Sequence, residues 1–454
     1  MGNALENSPR RVFLETFGCQ MNDNDSERIL GLLERMDYAR TEEPDDADLI
    51  IINTCSVRDK AEQKVYSMLG RFKALKDEKP GIIIGVSGCV AQQQGETLLK
   101  RAPYLDLVFG PHNIHRLGEL ITEVSVKKGR IVATAQNETI DEDEYGYFPR
   151  STGGIKAFVS IMRGCNNFCA YCIVPYTRGR EVSRNSTEVV DEVKRLADSG
   201  VLEVTLLGQN VNSYGVNGDV SFPELLRRVA GVEGLKRVRF VTSHPKDISR
   251  ELIGIFGEVP KLCRHMHLPV QSGSNAVLKT MGRGYTKEDY IEKVTLLKGL
   301  YPEMSLTTDI IVGFPGESEE DFSETVGLLE SVRFDNIFSF MYSPRPNTRA
   351  ATFGRQVPPE VKSRRLQELQ GAQREITLEK SKALVGKTLE VLVEGVNKTD
   401  GAELSGRTIC NRIVNFPAPV ELGGLAGSLI DISITRAFPN SLRGVYKERS
   451  TICC

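Results

Sequence analysis

The sequence lacks any long apolar run. Its longest, residues 49–52 and 82–86, fall well short of the roughly 18–20 residues that a membrane-spanning helix needs, so no membrane association is expected. The opening residues, MGNALENSPRR, have no apolar signal core, which predicts a cytoplasmic location. An excess of one charge is missing too. Lys and Arg number 58 and Asp and Glu 60, a net charge of −2. The protein as a whole is therefore no polyanion binder, and any nucleic-acid surface has to be local. The balance shifts along the chain, from about −6 over residues 1–150 through about 0 over 151–354 to about +4 over 355–454; only the last stretch suits RNA. Histidine is scarce, with five scattered residues. Four of them read as surface or core, and only His244 lies near a candidate site. No internal repeat or long low-complexity segment is present, which excludes repeat architectures.

What is present is the composition of a globular protein, 40% hydrophobic and 26% charged, in a chain of 454 residues that suffices for two to four domains. Hydrophobic periodicity predicts an α/β protein. Strands are expected at 11–17, 48–53 and 81–86, with helices near 26–36 and 57–77 and another from 91. This βαβαβ rhythm implies a parallel sheet. Residues 136–154, acidic and then Gly-containing, read as a linker. A second βα series comes next, with strands at 157–162, 203–207, 237–241, 265–269, 306–312 and 336–341. Six such units suggest a partial TIM-like barrel, open on one side. Its helix at 187–199 has Asn185 as cap, Glu188 to close the box and Gly200 to end it. Pro358 and Pro359 open a charged linker helix to about residue 384, which would hold the C-terminal segment apart from the barrel. From Gly386, alternating strands at 388–393, 407–415 and 429–437 predict a small antiparallel β-barrel. The domains expected are 1–135, 155–357 and 386–450, joined by linkers at 136–154 and 358–385.

Ten cysteines in a cytoplasmic chain point to metal ligands or catalytic thiols rather than disulfides. Cys165, Cys169 and Cys172 stand in MRGCNNFCAYC, a C-x3-C-x2-C loop after the first barrel strand. Three thiolates can hold three irons of a [4Fe–4S] cluster and leave the fourth iron open, free to chelate the amino and carboxylate groups of S-adenosylmethionine (SAM). The other reading is structural zinc, but such sites close with four ligands and no fourth Cys or His lies nearby. Cys19, Cys55 and Cys89 share no local motif. Each comes after the C-terminal end of a predicted strand, in TFGCQ, NTCS and SGCV, and in a parallel sheet those ends lie together at the ligand-binding edge. Converging there, they form a second three-thiolate set; three unrelated buried cysteines are the bland alternative. Cys263 and Cys410 read as core thiols, and Cys453 and Cys454 as terminal residues without a role.

With Tyr171 before its last Cys, the C-x3-C-x2-C loop resembles the radical SAM superfamily. The Cys19/Cys55/Cys89 triplet ahead of it resembles the methylthiotransferase family. GRTICNRIVNF with ISITRAFPNSLRG is similar to the TRAM domain, an RNA-binding β-barrel. Together these cover nearly the whole chain. TFGCQMNDNDSERI, NTCSVRDKAEQKVYSMLG and GCNNFCAYCIVPYTRGRE are similar to the branch acting on isopentenyladenosine in tRNA. The branch acting on a ribosomal protein usually has Pro-Lys after its first Cys, and the threonylcarbamoyl-adenosine branch Lys-Val, where this chain has Gln20-Met21.

The resemblance implies an enzyme that replaces the C2 hydrogen of isopentenyladenosine at position 37 of tRNA with a methylthio group. It implies two [4Fe–4S] clusters, with SAM both as methyl donor and as source of a 5′-deoxyadenosyl radical. No side chain is base or nucleophile enough to displace hydrogen from an unactivated C–H bond, so cofactors must do it. SAM contacts are implied for Tyr171, Gly208, Gln209, Ser243, His244, Gln271 and Asp309. Gly313 and Gly316 are further candidates that serve equally well as turn formers. The target base must leave its stack to react. Arg407, Asn411, Arg412 and Arg436 are then phosphate or base contacts, and Phe416 is a stacking platform or barrel core. The partners implied are the tRNA anticodon loop, an electron donor such as flavodoxin or ferredoxin, and a sulfur donor or cluster carrier; the chain itself is expected to be monomeric. The rival functions at this point are methylthiolation of a ribosomal-protein side chain or of threonylcarbamoyl-adenosine in tRNA, and a non-catalytic iron–sulfur RNA-binding protein.

Overall fold

The computed structural model describes residues 9–56, 59–127, 129–136, 154–216, 218–397, 400–418 and 424–447. Most of the expected linker at 136–154 lies outside them, as do Cys453 and Cys454. Six parallel strands form the N-terminal sheet, in the order Tyr38–Thr41, Arg10–Phe17, Leu49–Thr54, Ile83–Gly88, Leu107–Phe109 and Ile131–Ala133. Three of these are the strands read from the sequence; the other three, of three or four residues, carry too short a pattern to read. Leu49–Thr54 is buried at every residue, as a strand covered by helices on both faces must be. Ile50 and Ile52 face one core and Leu49 and Ile51 the other, each burial contributing about 1.5–3 kcal/mol. The strand order reverses between Arg10–Phe17 and Leu49–Thr54, the switch point at which doubly wound sheets open a crevice for ligands.

The central domain is an open barrel of six parallel strands: Lys156–Ser160, Glu203–Leu207, Arg237–Phe240, His265–His267, Ser305–Val312 and Asn336–Met341. The sequence-based bounds agree to within two residues. The first three and last three strands form separate ladders, stitched by a parallel bridge from Val238 to Leu262. Val204, Leu206, Val238 and Phe240 pack against the outer helices, so their alternates Glu203, Arg237 and Arg239 face the lumen. The helix Ser186–Asp198 is capped by Asn185, whose side chain accepts from the Thr187 N–H at 2.8 Å. Glu188 does not complete the expected box; Gly200, with φ +97°, stands just past the helix end as expected.

The C-terminal domain is a closed five-stranded barrel in the order Thr388–Val396, Glu403–Thr408, Ile413–Pro417, Leu442–Tyr446 and Leu429–Ala437. The single strand expected at 407–415 is instead a hairpin. Glu403–Thr408 and Ile413–Pro417 pair antiparallel, and Asn411 takes φ +67° in the turn between them. That turn contains neither Gly nor Pro, so the usual punctuation was missing from the sequence. Phe416 is fully buried and is barrel core, not a platform.

The helix Pro359–Lys382, expected as a spacer, is docked on the open barrel. Gln373 Nε2 donates to Phe334 O at 2.9 Å, Thr377 Oγ1 to Asp335 O at 3.1 Å, and Lys380 Nζ lies 2.7 Å from Asp335 Oδ2. The C-terminal barrel is docked as well. Arg237 and Arg239, buried near the N-terminal ends of the barrel strands, donate to the carbonyl oxygens of Arg407 at 2.7 Å, Thr408 at 2.8 Å and Ile409 at 3.2 Å. The hairpin thus closes one mouth of the open barrel. No helix among the described residues is long and apolar enough to cross a membrane.

Candidate functional site

Cys19, Cys55 and Cys89 stand at the ends of three neighbouring strands of the N-terminal sheet, at the switch point. Local bonds hold them there. The Cys55 N–H donates to Phe17 O at 2.9 Å. Asn53 Nδ2 donates to Asn22 O and Ser26 Oγ, both at 2.8 Å, which locks the helix beginning after Cys19 onto the strand ending before Cys55. Gly88 has φ +88°, and a Cβ there would stand 2.4 Å from Thr54 O, so only glycine lets Cys89 approach the neighbouring strand end. The Cys55 thiol, hydrogen-bonded to Cys19, holds the Cys19 sulfur down at about 6 against the effect of burial, and Arg178 adds to this. Burial alone would lower the pKa of Arg178, but Asp25, Cys89 and Cys19 around it hold it well above its usual value. Arg178 pairs with Asp25 at 2.6 Å, both side chains almost wholly buried. One guanidinium, six residues beyond the C-x3-C-x2-C loop, therefore acts electrostatically on two of these cysteines.

Cys165, Cys169 and Cys172 occupy the loop after the first barrel strand. Gly164, with φ +74°, begins it; a Cβ there would fall 1.9 Å from Arg180 O. Its N–H donates to Gln209 Oε1 at 2.5 Å. Asn167 Nδ2 lies 3.6 Å from Cys165 Sγ, and the buried Arg283 guanidinium lies 3.3 Å from both Cys169 Sγ and Tyr171 Oη. Burial pushes the Cys172 thiol up to about 12, with Cys169 adding to it, and raises Cys165 as well. Crowded thiols that resist ionising on their own are relieved when irons supply the positive charge, so the residues fit a cluster. Among the described residues no three His, Cys, Asp or Glu side chains close tightly enough to hold a lone ion.

Of the residues implied for SAM, Tyr171 is in this loop and Gln209 bonds its first residue, while Asp309 lines a cavity beside His267. Gly208 has no room for a side chain, since a Cβ would meet Met162 Cγ at 2.5 Å. Ser243 Oγ and His244 Nε2 are buried without a hydrogen-bond partner among the described residues. His244 Nδ1 accepts from the Lys246 N–H at 3.2 Å, which leaves the ring proton on Nε2. Burial, with Arg283 next, lowers its pKa to about 2, so the ring is a neutral donor. These two orphaned polar atoms fit a polar ligand such as a ribose. Gln271 has φ +76° and its N–H bonds Asp309 O at 2.8 Å; Thr242 has φ +67°. Left-handed backbone at two such residues is strain of the kind that collects at functional sites. Gly313 is packed against Lys362, and its N–H donates to Glu317 Oε1 at 2.8 Å, the bonding of a turn.

A cavity of about 660 Å³ joins the three domains. Cys19 and Cys55 border it, as do Asp309 and His267 of the open barrel and Arg407 and Asn411 of the C-terminal hairpin. Residues 11–110 match the family described as Uncharacterized protein family UPF0004, residues 159–329 the Radical SAM superfamily and residues 382–447 the TRAM domain. A tRNA-2-methylthio-N(6)-dimethylallyladenosine synthase of Geobacter metallireducens is 53% identical over 95% of this chain and 97% of its own. The enzyme of that name from Syntrophus aciditrophicus is 48% identical over 98% of this chain and 96% of its own. The chain belongs to the tRNA-2-methylthio-N(6)-dimethylallyladenosine synthase family. A solved structure of the radical SAM methyltransferase TsrM from Kitasatospora setae, with cobalamin and a [4Fe–4S] cluster bound, has 16% identity and a TM-score of 0.57. It covers 76% of this chain and 74% of its own, a likeness of fold.

This tRNA methylthiotransferase is thus a radical SAM enzyme, and several of its residues depart from their sequence-based roles. Arg412 is not a free cation: it pairs with Asp335 at 2.5 Å and donates to Ser381 Oγ at 3.2 Å, fastening the C-terminal barrel. Arg407 pairs with Glu394 at 3.1 Å while facing the cavity. Arg436 is exposed, over the Phe438 ring at 5.4 Å. Cys263 is core, but Cys410 sits half-buried in the hairpin and faces the cavity. His265 and His267, set aside in the sequence, also line it. Arg178 and Arg283 were missed. The only signal for them was proximity in sequence to a cysteine loop or a Gly-Arg-Gly turn.

Proposed function

We propose that this chain performs the reaction for which its relatives are named, replacing the C2 hydrogen of dimethylallyladenosine at position 37 of tRNA with a methylthio group. The cavity carries this reading, because one space brings Cys19 and Cys55 together with the open-barrel strand Asn336–Met341 and the TRAM hairpin. Two [4Fe–4S] clusters and SAM, when bound, supply the electron, the hydrogen-abstracting radical and the methylthio group. Cys165, Cys169 and Cys172 would hold one cluster, and Cys19, Cys55 and Cys89 the other. Gln209, through the Gly164 N–H, sets the entry of the first loop. Arg283, between Cys169 and Tyr171, fixes that loop against the SAM side. The Ser243 hydroxyl, the neutral His244 ring and the strained Gln271 segment hold the nucleoside end of SAM. Arg407 and Asn411 meet the RNA near the cavity and Arg436 meets phosphate farther out. A flavodoxin- or ferredoxin-type donor supplies electrons and a sulfur donor or cluster carrier renews the second cluster, all in the cytoplasm. Mass spectrometry of tRNA nucleosides from cells with and without the protein tests this. The methylthiolated nucleoside should vanish and its dimethylallyl precursor accumulate; unchanged nucleosides refute it.

A further inference from the structure

Asn336–Met341 is the free edge strand of the open barrel, and its residues alternate in what they touch. Ile337 packs against the core, and Ser339 Oγ accepts from Gln370 Nε2 at 3.2 Å. Asn336, Phe338 and Phe340 turn to the cavity. Phe338 and Phe340 are 49% and 43% exposed, a pair of uncovered aromatic rings side by side on one strand face. The Phe338 ring stands edge-on to His267, centroids 5.7 Å apart. His267 Nδ1 lies 3.0 Å from Thr307 Oγ1, and its Nε2 lies 3.4 Å from Asp309 Oδ1. The cavity therefore has an apolar wall adjoining a short run of paired donors and acceptors.

The substrate base has the same division. The Watson–Crick edge of adenine runs from C2–H through N1 to N6–H. With C2 turned to Cys19 and Cys55, N1 and N6 fall farther along the cavity. N1 needs a donor and N6–H an acceptor, while the group on N6 is a branched five-carbon alkyl chain. Flipped bases are read by hydrogen bonds to this edge and by apolar side chains against them. We propose that Phe338 and Phe340, beside the His267–Asp309 pair, form the subsite that reads the target base and seats its N6 alkyl group. This rests on the reaction proposed above and takes Asp309 to the base rather than to SAM. It makes the two phenylalanines the residues that distinguish the alkylated base from bare adenosine.

The test uses the reconstituted holoenzyme and two anticodon stem-loop RNAs that differ only in the dimethylallyl group on the target adenosine. Binding is followed by fluorescence anisotropy and methylthio product by mass spectrometry. Wild type should prefer the alkylated RNA in both. The double variant Phe338→Ala/Phe340→Ala should keep its iron and lose about tenfold or more of that preference, since an apolar pocket discriminates by that order per group removed. The single variants Phe338→Leu and Phe340→Leu keep the wall apolar and should shift the preference the same way but less; they decide the matter if the double variant loses iron. Unchanged preference in iron-replete variants overturns the subsite, as does a wild type that binds both RNAs equally. A wild type that prefers the alkylated RNA but makes no methylthio product refutes the reaction and supports the subsite.

Discussion

The two cysteine triplets reach the same donor set by opposite routes. Cys165, Cys169 and Cys172 lie within eight residues on one loop, so their geometry is local. Cys19, Cys55 and Cys89 belong to three separate βα units and meet only because the sheet orders those strands side by side. Their electrostatics differ as well. Cys172 is pushed up to about 12 by burial among thiols, while Cys19 is held at about 6 by the Cys55 hydrogen bond and Arg178. A local motif survives damage elsewhere in the fold. A set gathered by topology is only as secure as the packing that gathers it.

The sharpest way to break the comparison is to delete each set in turn. Replacing Cys165, Cys169 and Cys172 with Ala should abolish reductive SAM cleavage and lower iron from about eight to about four per chain. Replacing Cys19, Cys55 and Cys89 should leave SAM cleavage and abolish the methylthio product; product from that variant would show the roles to be misassigned. Next in size is Arg178→Met, which leaves the buried Asp25 with only Arg28, 3.7 Å away, and removes one charge-assisted hydrogen bond worth about 1.5–3 kcal/mol. Thermal unfolding should shift down, and iron should be lost from the topological set first, with SAM cleavage retained. Loss of both sets together would show that the loop depends on the same packing.

A smaller effect separates the sulfurs by pH. In iron-free protein, Cys19 is a thiolate above about pH 6 and Cys172 becomes one only near pH 12. Alkylation of Cys19, mapped by mass spectrometry, should therefore be rapid at pH 7–8 and slow as pH falls through 6, while Cys172 stays unreactive across that range. Equal rates at the two positions would remove the electrostatic half of the contrast. The smallest effect lies away from both sets. Arg436→Ala should weaken tRNA binding about two- to fivefold and flatten its salt dependence, as loss of one exposed phosphate contact does. Arg412→Ala should instead lower thermal stability, because Arg412 serves the joint with Asp335.

The sequence made the architecture legible where patterns were long. The six barrel strands alternate with well-marked helices, and each cysteine of the spread triplet comes after a readable strand. Short strands such as Leu107–Phe109 left no periodicity, and the turn at Asn411 lacked Gly and Pro. The site was legible in its sulfurs because cysteine is rare and its spacing is chemical. It was not legible in Arg178, Arg283, His267 or Phe338. Those residues gain meaning from partners more than a hundred positions away or from a cavity wall, and nothing in their local sequence differs from a surface arginine or a strand aromatic.

Arg237 and Arg239 grip the hairpin of the C-terminal barrel by its carbonyl oxygens. A carbonyl is the same whatever side chain its residue bears. The amino acids at positions 407 and 409 can thus drift generation by generation under selection for different RNA surfaces while these carbonyl bonds persist; the buried Thr408, whose Oγ1 accepts from the Arg412 N–H at 3.1 Å, cannot. Drift at positions 237 and 239 has no such freedom, so the two sides of one contact should evolve at very different rates.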